Sequence, residues 1–328
     1  MIPFAIAAVL SLLLVGLVRH HALRRGLLDH PNARSSHQLP TPRGGGLGFI
    51  SAFLVSVGVA ISVPAGAGTD AAAAGPLLGA GAATLLVAAI GWVDDHGGAP
   101  VRVRLVVHVA AGILLLPLVR GAPLPVALPL GVAAAWWVFW TVSAINVVNF
   151  IDGINGLIGL QALLYGLFAA LAGASGGWVA AAGASLAGAS LGFLVWNWDP
   201  ARIFMGDVGS GALGVCFVAL GAGLVAEGRL GFIAAFLPLA AIFLDAAVTL
   251  ARRWRRGERL SEAHRSHLYQ RLANGGGLGH ARVATLYGAS AAGAGALALA
   301  WPRGDAALLA ATLLVLVAVG ALLERKAA

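Results

Sequence analysis

Charge is what this chain has least of. Only 10% of its 328 residues are Asp, Glu, Lys or Arg, where a soluble domain carries roughly a quarter. That excludes a large soluble domain. One cysteine, Cys216, lies inside an apolar run, which excludes an internal disulfide and argues against a thiolate metal cluster. The net charge of +8 does not point to nucleic acid, because scattered basic residues in so apolar a chain report orientation in a bilayer. What the chain does have is apolar bulk, with 59% hydrophobic residues and 46 glycines. It is expected to be all-α, a polytopic transmembrane helix bundle forming a single domain.

A helix needs about 20 apolar residues to cross a bilayer core. Runs of that kind lie near 2–18, 47–66, 76–93, 102–119, 126–147, 154–173, 178–195, 209–226, 230–250, 282–301 and 305–323. The second, the ninth with Pro238 inside it, and the last pair are the least regular, so the count is ten or eleven helices. Met1-Ile2-Pro3-Phe4 carries no basic side chain and positive charge follows the first run, so this run is not a signal peptide and the N-terminus is expected outside. Eighteen of the 21 basic residues then fall in the segments 19–46, 94–104, 148–153, 196–208 and 251–282 and in the C-terminal tail. Only Arg120, Arg229 and Arg303 fall on the other side. The basic segments are therefore expected to be cytoplasmic.

Carboxylates repeat this bias, although Asp and Glu hardly influence insertion. Asp94, Asp95, Asp152, Asp199 and Asp207 all follow spans on the same side. Acidic groups at membrane depth are costly, so their collection on one rim predicts a polar site there. The Ala/Gly bias reads as close helix packing, with Gly188 and Gly192 as a small-xxx-small pair.

The first loop ends Pro40-Thr41-Pro42-Arg43-Gly44-Gly45-Gly46. Its glycines are expected to bring backbone N–H groups near an anion, with Arg43 adding a phosphate contact. In the second, Asp94 and Asp95 end an apolar helix, where negative charge is disfavoured. A divalent metal, or failing that Arg102 or Arg104, should compensate. The third, Asn146 to Gly156, places Asn149, Asp152 and Asn155 at a membrane boundary with no basic partner. Asp152 could alternatively cap the following helix, with Asn155 in its first turn. The fourth runs from Trp196 and Asn197 to Asp207 and Ser210, so backbone donors at a helix start and a metal ligand would share one anionic substrate. The fifth contains His264-Arg265-Ser266-His267, whose histidines would share a face if helical and suit phosphate better than zinc.

Five such motifs in this order make the chain resemble the polyprenyl-phosphate N-acetylhexosamine-1-phosphate transferases, over nearly its whole length. The resemblance implies transfer of a sugar 1-phosphate from a UDP-N-acetylhexosamine to undecaprenyl phosphate, with release of UMP. It implies Mg²⁺, with Mn²⁺ as the substitute, and a catalytic group of Asp94, Asp95, Asp152, Asp207 and His264. Asp207 would be the first metal ligand, and Asp94 and Asp95 would face the metal and the lipid phosphate. Phe204 would stack on uracil, while Asn149, Asp152, Asn155 and Asn197 line the nucleotide-sugar pocket. Arg43, Ser210, Arg265 and His267 complete the substrate contacts, the basic ones through phosphate.

Two departures matter. Many members have Asp where this chain has Asn155, and the peptidoglycan branch has consecutive histidines where this chain has His-Arg-Ser-His. The pattern is more similar to the O-antigen-initiating branch, in a bacterial inner membrane with the active site cytoplasmic, than to the lipid I-forming translocase. A homodimer is allowed for. An anion transporter is the rival reading, but transporters place polar groups near the midplane, whereas here they crowd one rim, with Asp245 the chief exception.

Overall fold

The computed structural model describes the chain except residues 32–35, 37–38, 63–70, 175–176, 260–263, 276, 304–309, 311–313, 316 and 319–328. The described residues form α1 (Ile2–Arg25), α2 (Gly45–Ser62), α3 (Ala71–Gly97), α4 (Val101–Leu114), α5 (Leu116–Val119), α6 (Leu130–Ile151) and α7 (Leu157–Ala172). These are followed by α8 (Trp178–Asn197), α9 (Asp207–Ala226), α10 (Phe232–Phe236), α11 (Ala240–Arg255), the single turn α12 (Leu268–Gln270) and α13 (His280–Ala300). Two short strands, β1 (Leu28–Asp29) and β2 (Thr41–Pro42), pair antiparallel beside the first loop.

Each expected apolar run up to residue 301 coincides with a helix or a joined helix pair. The run at 305–323 lies mostly outside the described residues, as do Ser35, His37 and Gln38 of the first loop. Among the described residues, eight helical units are long and apolar enough to cross a membrane, with α10 and α11 counted as one. Leu157–Ala172 is apolar but shorter. The chain is an all-α, multi-pass membrane bundle.

The bundle is built around α9, whose membrane window is entirely buried. A helix apolar on every face belongs in the centre, and α9 packs on α2, α3, α6, α7 and α8. Glycine sets the close spacings. A Cβ at Gly188 or Gly192 of α8 would collide with the Phe4 or Ala8 carbonyl of α1, so the expected small-residue pair is what seats α1 on α8. Pro238 interrupts the ninth run as a one-turn 3₁₀ segment between α10 and α11. Buried donors satisfy the carbonyls around that break: Gln161 Nε2 donates to Pro238 O at 2.9 Å and Tyr165 OH to Ala235 O at 3.0 Å.

Helix ends differ from the sequence reading in one systematic way. Hydropathy measures transfer into lipid and loses its signal at the membrane edge, whereas the backbone ladder continues beyond it. α3, α6 and α8 therefore run on to Gly97, Ile151 and Asn197. Asn149 and Asn197 sit on final helical turns instead of in loops, Asp94 and Asp95 sit at the helix end expected for them, and rigid helices aim all four.

Candidate active site

Asp95 has both carboxylate oxygens on the start of α9. Oδ1 accepts the Asp207 N–H at 3.1 Å and Oδ2 accepts the Val208 N–H at 3.1 Å. α3 reaches this close because Gly91 has no side chain, and a Cβ there would collide with Asp207 O. The positive end of α9 thus compensates a carboxylate whose side chain is only 2% exposed. Arg43 Nη1 adds a contact at 3.6 Å. This corrects one expectation, since those helix-start donors are taken by Asp95 instead of a substrate, and it gives Asp95, which also lines the cavity described below, the work of a cap.

Asp94 is held by the Ala99 N–H at 2.6 Å and by an ion pair with Arg104. Arg102, the other expected compensator, is exposed. Asp207 differs from both. Its Oδ1 accepts from Asn149 Nδ2 at 2.9 Å, while Oδ2 has Arg104 only at 3.9 Å. The Asp94 and Asp207 carboxyl groups come within hydrogen-bonding reach of each other. Two facing carboxyl groups beside one guanidinium present several oxygen donors in one place, which suit a hard divalent cation. Asn149 Nδ2 also donates to Ser210 Oγ at 3.0 Å, and Ser210 lines neither cavity described below, so Ser210 orients Asn149 and makes no direct wall.

A polar cavity of about 210 Å³ lies on one side of this cluster, lined by Arg43, Asp95, Asn149, Asp152, Asn155, Asn197, Phe204, Asp207 and others. The first and fourth loops meet at its wall through the Phe204 N–H to Pro42 O, the Gly45 N–H to Phe204 O and the Gly46 N–H to Met205 O, at 2.9, 2.9 and 2.8 Å. Gly45 and Gly46 therefore spend their N–H groups on the partner loop, not on an anion. Their lack of a side chain is still needed, because a Cβ at Gly46 would collide with Gly209. Arg43 is aimed by Asp29 at 2.9 Å, a cavity residue the sequence reading missed.

Asn197 lines this cavity yet uses both ends of its amide on backbone, accepting from the Gly156 N–H at 3.0 Å and donating to Ile203 O at 2.9 Å. It clamps the third loop to the fourth. Asn155 Nδ2 donates to Asp199 at 2.8 Å, a bond that an Asp at 155 would turn into repulsion. Asp152 is no helix cap, since α7 starts from Gly156 with no side-chain cap. Burial pushes its carboxyl well above the usual range, and the charges of Asp207 and Asp95 add to this. His280 and Gln270 also line this cavity and were not foreseen. A histidine opening a helix after a glycine run and a Gln just beyond a recognised motif offered no chemical pattern to read.

The second cavity, about 400 Å³, lies on the other side and is walled by Val87, Ile90, Val101, Leu105, Ile145 and Phe150, with Asp94, Arg104, His108, His264 and His267 among its polar residues. Residues 264–266 are not helical, so the two histidines meet by stacking, with ring centroids 4.9 Å apart. Burial lowers His264 to about 4, helped by His267 and Arg253, so His264 is neutral near pH 7 and offers a hydrogen bond without charge. Arg265 is exposed and lines neither cavity. Among the described residues, Asn149 and Asp207 alone line both.

Fold and site define a polytopic membrane protein whose acidic and amide groups, drawn from separate helices, converge between a polar and an apolar-walled cavity. Residues 77–224 match Glycosyl transferase family 4. A decaprenyl-phosphate N-acetylglucosaminephosphotransferase of Mycobacterium tuberculosis is 30% identical over 354 residues, covering 94% of this chain and 85% of that protein. A phospho-N-acetylmuramoyl-pentapeptide-transferase of a Synechococcus strain is 35% identical over 250 residues, covering 67% of this chain and 65% of that protein, slightly under two thirds of its length. A Bacillus pumilus protein of the same name is 50% identical over 60 residues, 18% of each chain. The chain belongs to this family, the polyprenyl-phosphate N-acetylhexosamine-1-phosphate transferases.

Proposed function

We propose that the chain transfers a sugar 1-phosphate from a UDP-N-acetylhexosamine to undecaprenyl phosphate on the cytoplasmic face of a bacterial inner membrane, releasing UMP and starting an O-antigen-like polysaccharide. One observation carries this reading: Asn149 and Asp207 form the wall common to a polar cavity and an apolar-walled one. A reaction between a water-soluble nucleotide sugar and a lipid needs two such spaces that meet where the phosphates react. In the polar cavity Phe204 stacks on uracil and Arg43 faces the diphosphate. In the other, the apolar wall takes the start of the prenyl chain while Arg104, His264 and His267 face the lipid phosphate.

Asp207 and Asp94 fit a divalent ion by their facing oxygen donors, and Mg²⁺ bound there would neutralise the crowded phosphates and the departing UMP. Asp95 acts one step back by holding α9, and Asn149 keeps Asp207 Oδ1 turned toward the shared wall. A phosphate monoester has a second pKa near 6, so the attacking lipid phosphate is already mostly deprotonated at neutral pH. No residue needs to act as general base, and direct displacement suffices.

The sugar is read as one without an attached peptide. The N-acetylglucosaminephosphotransferase aligns over 94% of this chain, against 67% for the pentapeptide enzyme. The test supplies purified protein with undecaprenyl phosphate, Mg²⁺ and a panel of UDP-N-acetylhexosamines, including the pentapeptide substrate, and measures UMP. Release from a simple UDP-N-acetylhexosamine is expected. No release from any donor overturns the enzyme, and release only from the pentapeptide donor overturns the sugar assignment.

A further inference from the structure

Asp245 is a carboxylate within α11 that the proposed reaction leaves unused. Its side chain is 1% exposed, and a buried carboxylate without partners is strongly destabilising. Five donors answer it. Oδ1 accepts from the Leu268 N–H at 2.9 Å, Thr249 Oγ1 at 3.2 Å and His267 Nδ1 at 3.3 Å. Oδ2 accepts from the Tyr269 N–H at 3.0 Å and the Tyr287 hydroxyl of α13 at 2.7 Å. The 267–269 segment is thereby pinned at three successive residues to one carboxylate. Tyr269 carries the linkage to α6, since its hydroxyl donates to Phe150 O at 2.8 Å, next to Asn149.

An anchor needed only for folding would be served by the two backbone N–H groups and Tyr287. The imidazole among the donors changes the meaning. His267 lines the apolar-walled cavity with His264 stacked on it. A ring whose Nδ1 is committed to a carboxylate carries its proton there and leaves Nε2 as the nitrogen for the cavity, which fixes both tautomer and orientation. Asp245 thus relates to His267 as an outer carboxylate does to a working imidazole. Resting on the proposed function, we infer that Asp245 is a positioning residue that aims His267 at the lipid phosphate in the apolar-walled cavity.

The test varies the lipid phosphate and the UDP-sugar separately for wild type, Asp245→Asn, Tyr287→Phe, His267→Gln and the Asp245→Asn/His267→Gln double variant. Asn keeps the size of Asp245 but turns one acceptor into a donor facing the N–H groups. The expected result is a KM for the lipid phosphate raised about tenfold or more in Asp245→Asn, on the order of a lost charged hydrogen bond, with the KM for the UDP-sugar within about twofold by that same measure. The double variant should be no worse than His267→Gln alone, because residues acting through one another are not additive. Tyr287→Phe, which leaves the His267 contact in place, should keep the wild-type KM for the lipid phosphate.

Loss of folded enzyme lowers kcat and moves neither KM. Additive defects, or any pattern without a selective rise in the lipid-phosphate KM, overturn the assignment. If Asp245→Asn does not accumulate, Asp245→Glu, which keeps the charge and displaces it by one methylene, carries the same comparison with His267→Gln. Failure of wild-type protein to release UMP removes the proposed function, whereas an active wild type with an unselective Asp245 variant removes only this inference.

Discussion

Asp95 and Asp207 are the same residue type in one cluster, and their partners give them different work. Both Asp95 oxygens accept backbone N–H groups at a helix start. Asp207 has one oxygen on Asn149 and the other beyond hydrogen-bond distance of Arg104. Replacing Asp207 by Asn should lower kcat on the order of 10² or more with the melting temperature kept, as for other electrostatic groups at reacting centres. Replacing Asp95 by Asn should do the reverse first, costing about 1–2 kcal/mol of stability through the lost cap, read as a lower melting temperature in detergent. Asp94→Asn should lower kcat without changing the shape of the pH–rate profile, since no general base is removed. Stripping divalent ions should abolish UMP release and added Mg²⁺ restore it. Sequence showed that all three carboxylates belong to one polar face. It could not separate cap from open carboxylate, because that depends on which distant N–H groups each one meets.

At the scale of elements, glycine was the residue most easily misread. The run at 44–46 looks like an anion cradle, but Gly45 and Gly46 spend their N–H groups on Phe204 O and Met205 O and let α2 approach α9. The pair Gly188 and Gly192 was read correctly, because small residues one helical turn apart carry the same meaning wherever a second helix passes. Replacing Gly192 by Leu should push α1 off α8 and cost about 1–3 kcal/mol or more, as overpacking does, read as a fall in melting temperature and in folded yield. Helix existence was legible from apolar run length. Helix ends were not, and that is why Asn149 and Asn197 were assigned to loops when they ride on final turns.

For the whole molecule, the decisive property is sidedness. By the positive-inside bias Arg102 and Arg255 are expected on the cytoplasmic side and residues 120–129 on the other. Cys216 is buried at 2% exposure, so single cysteines placed at the exposed positions Arg102, Arg255 and Val126 report cleanly on topology. An impermeant thiol reagent added outside intact cells should label Val126→Cys alone, and lysed or inverted membranes should add the other two. Labelling of Arg102→Cys from outside would put the carboxylate cluster on the wrong face for a cytoplasmic nucleotide sugar.

Composition and run length were enough to establish a membrane bundle and to name which acidic, amide and basic residues share its rim, because the cost of burying charge in lipid acts on each segment independently of its neighbours. Tertiary structure decided which of those residues meet. The N–H groups of α9 cap Asp95, Asn197 closes on backbone at both ends, Asp245 clamps the His267 segment, and Asn149 with Asp207 becomes the wall between two cavities. Those outcomes depend on pairings between residues far apart in the chain, which no local pattern encodes.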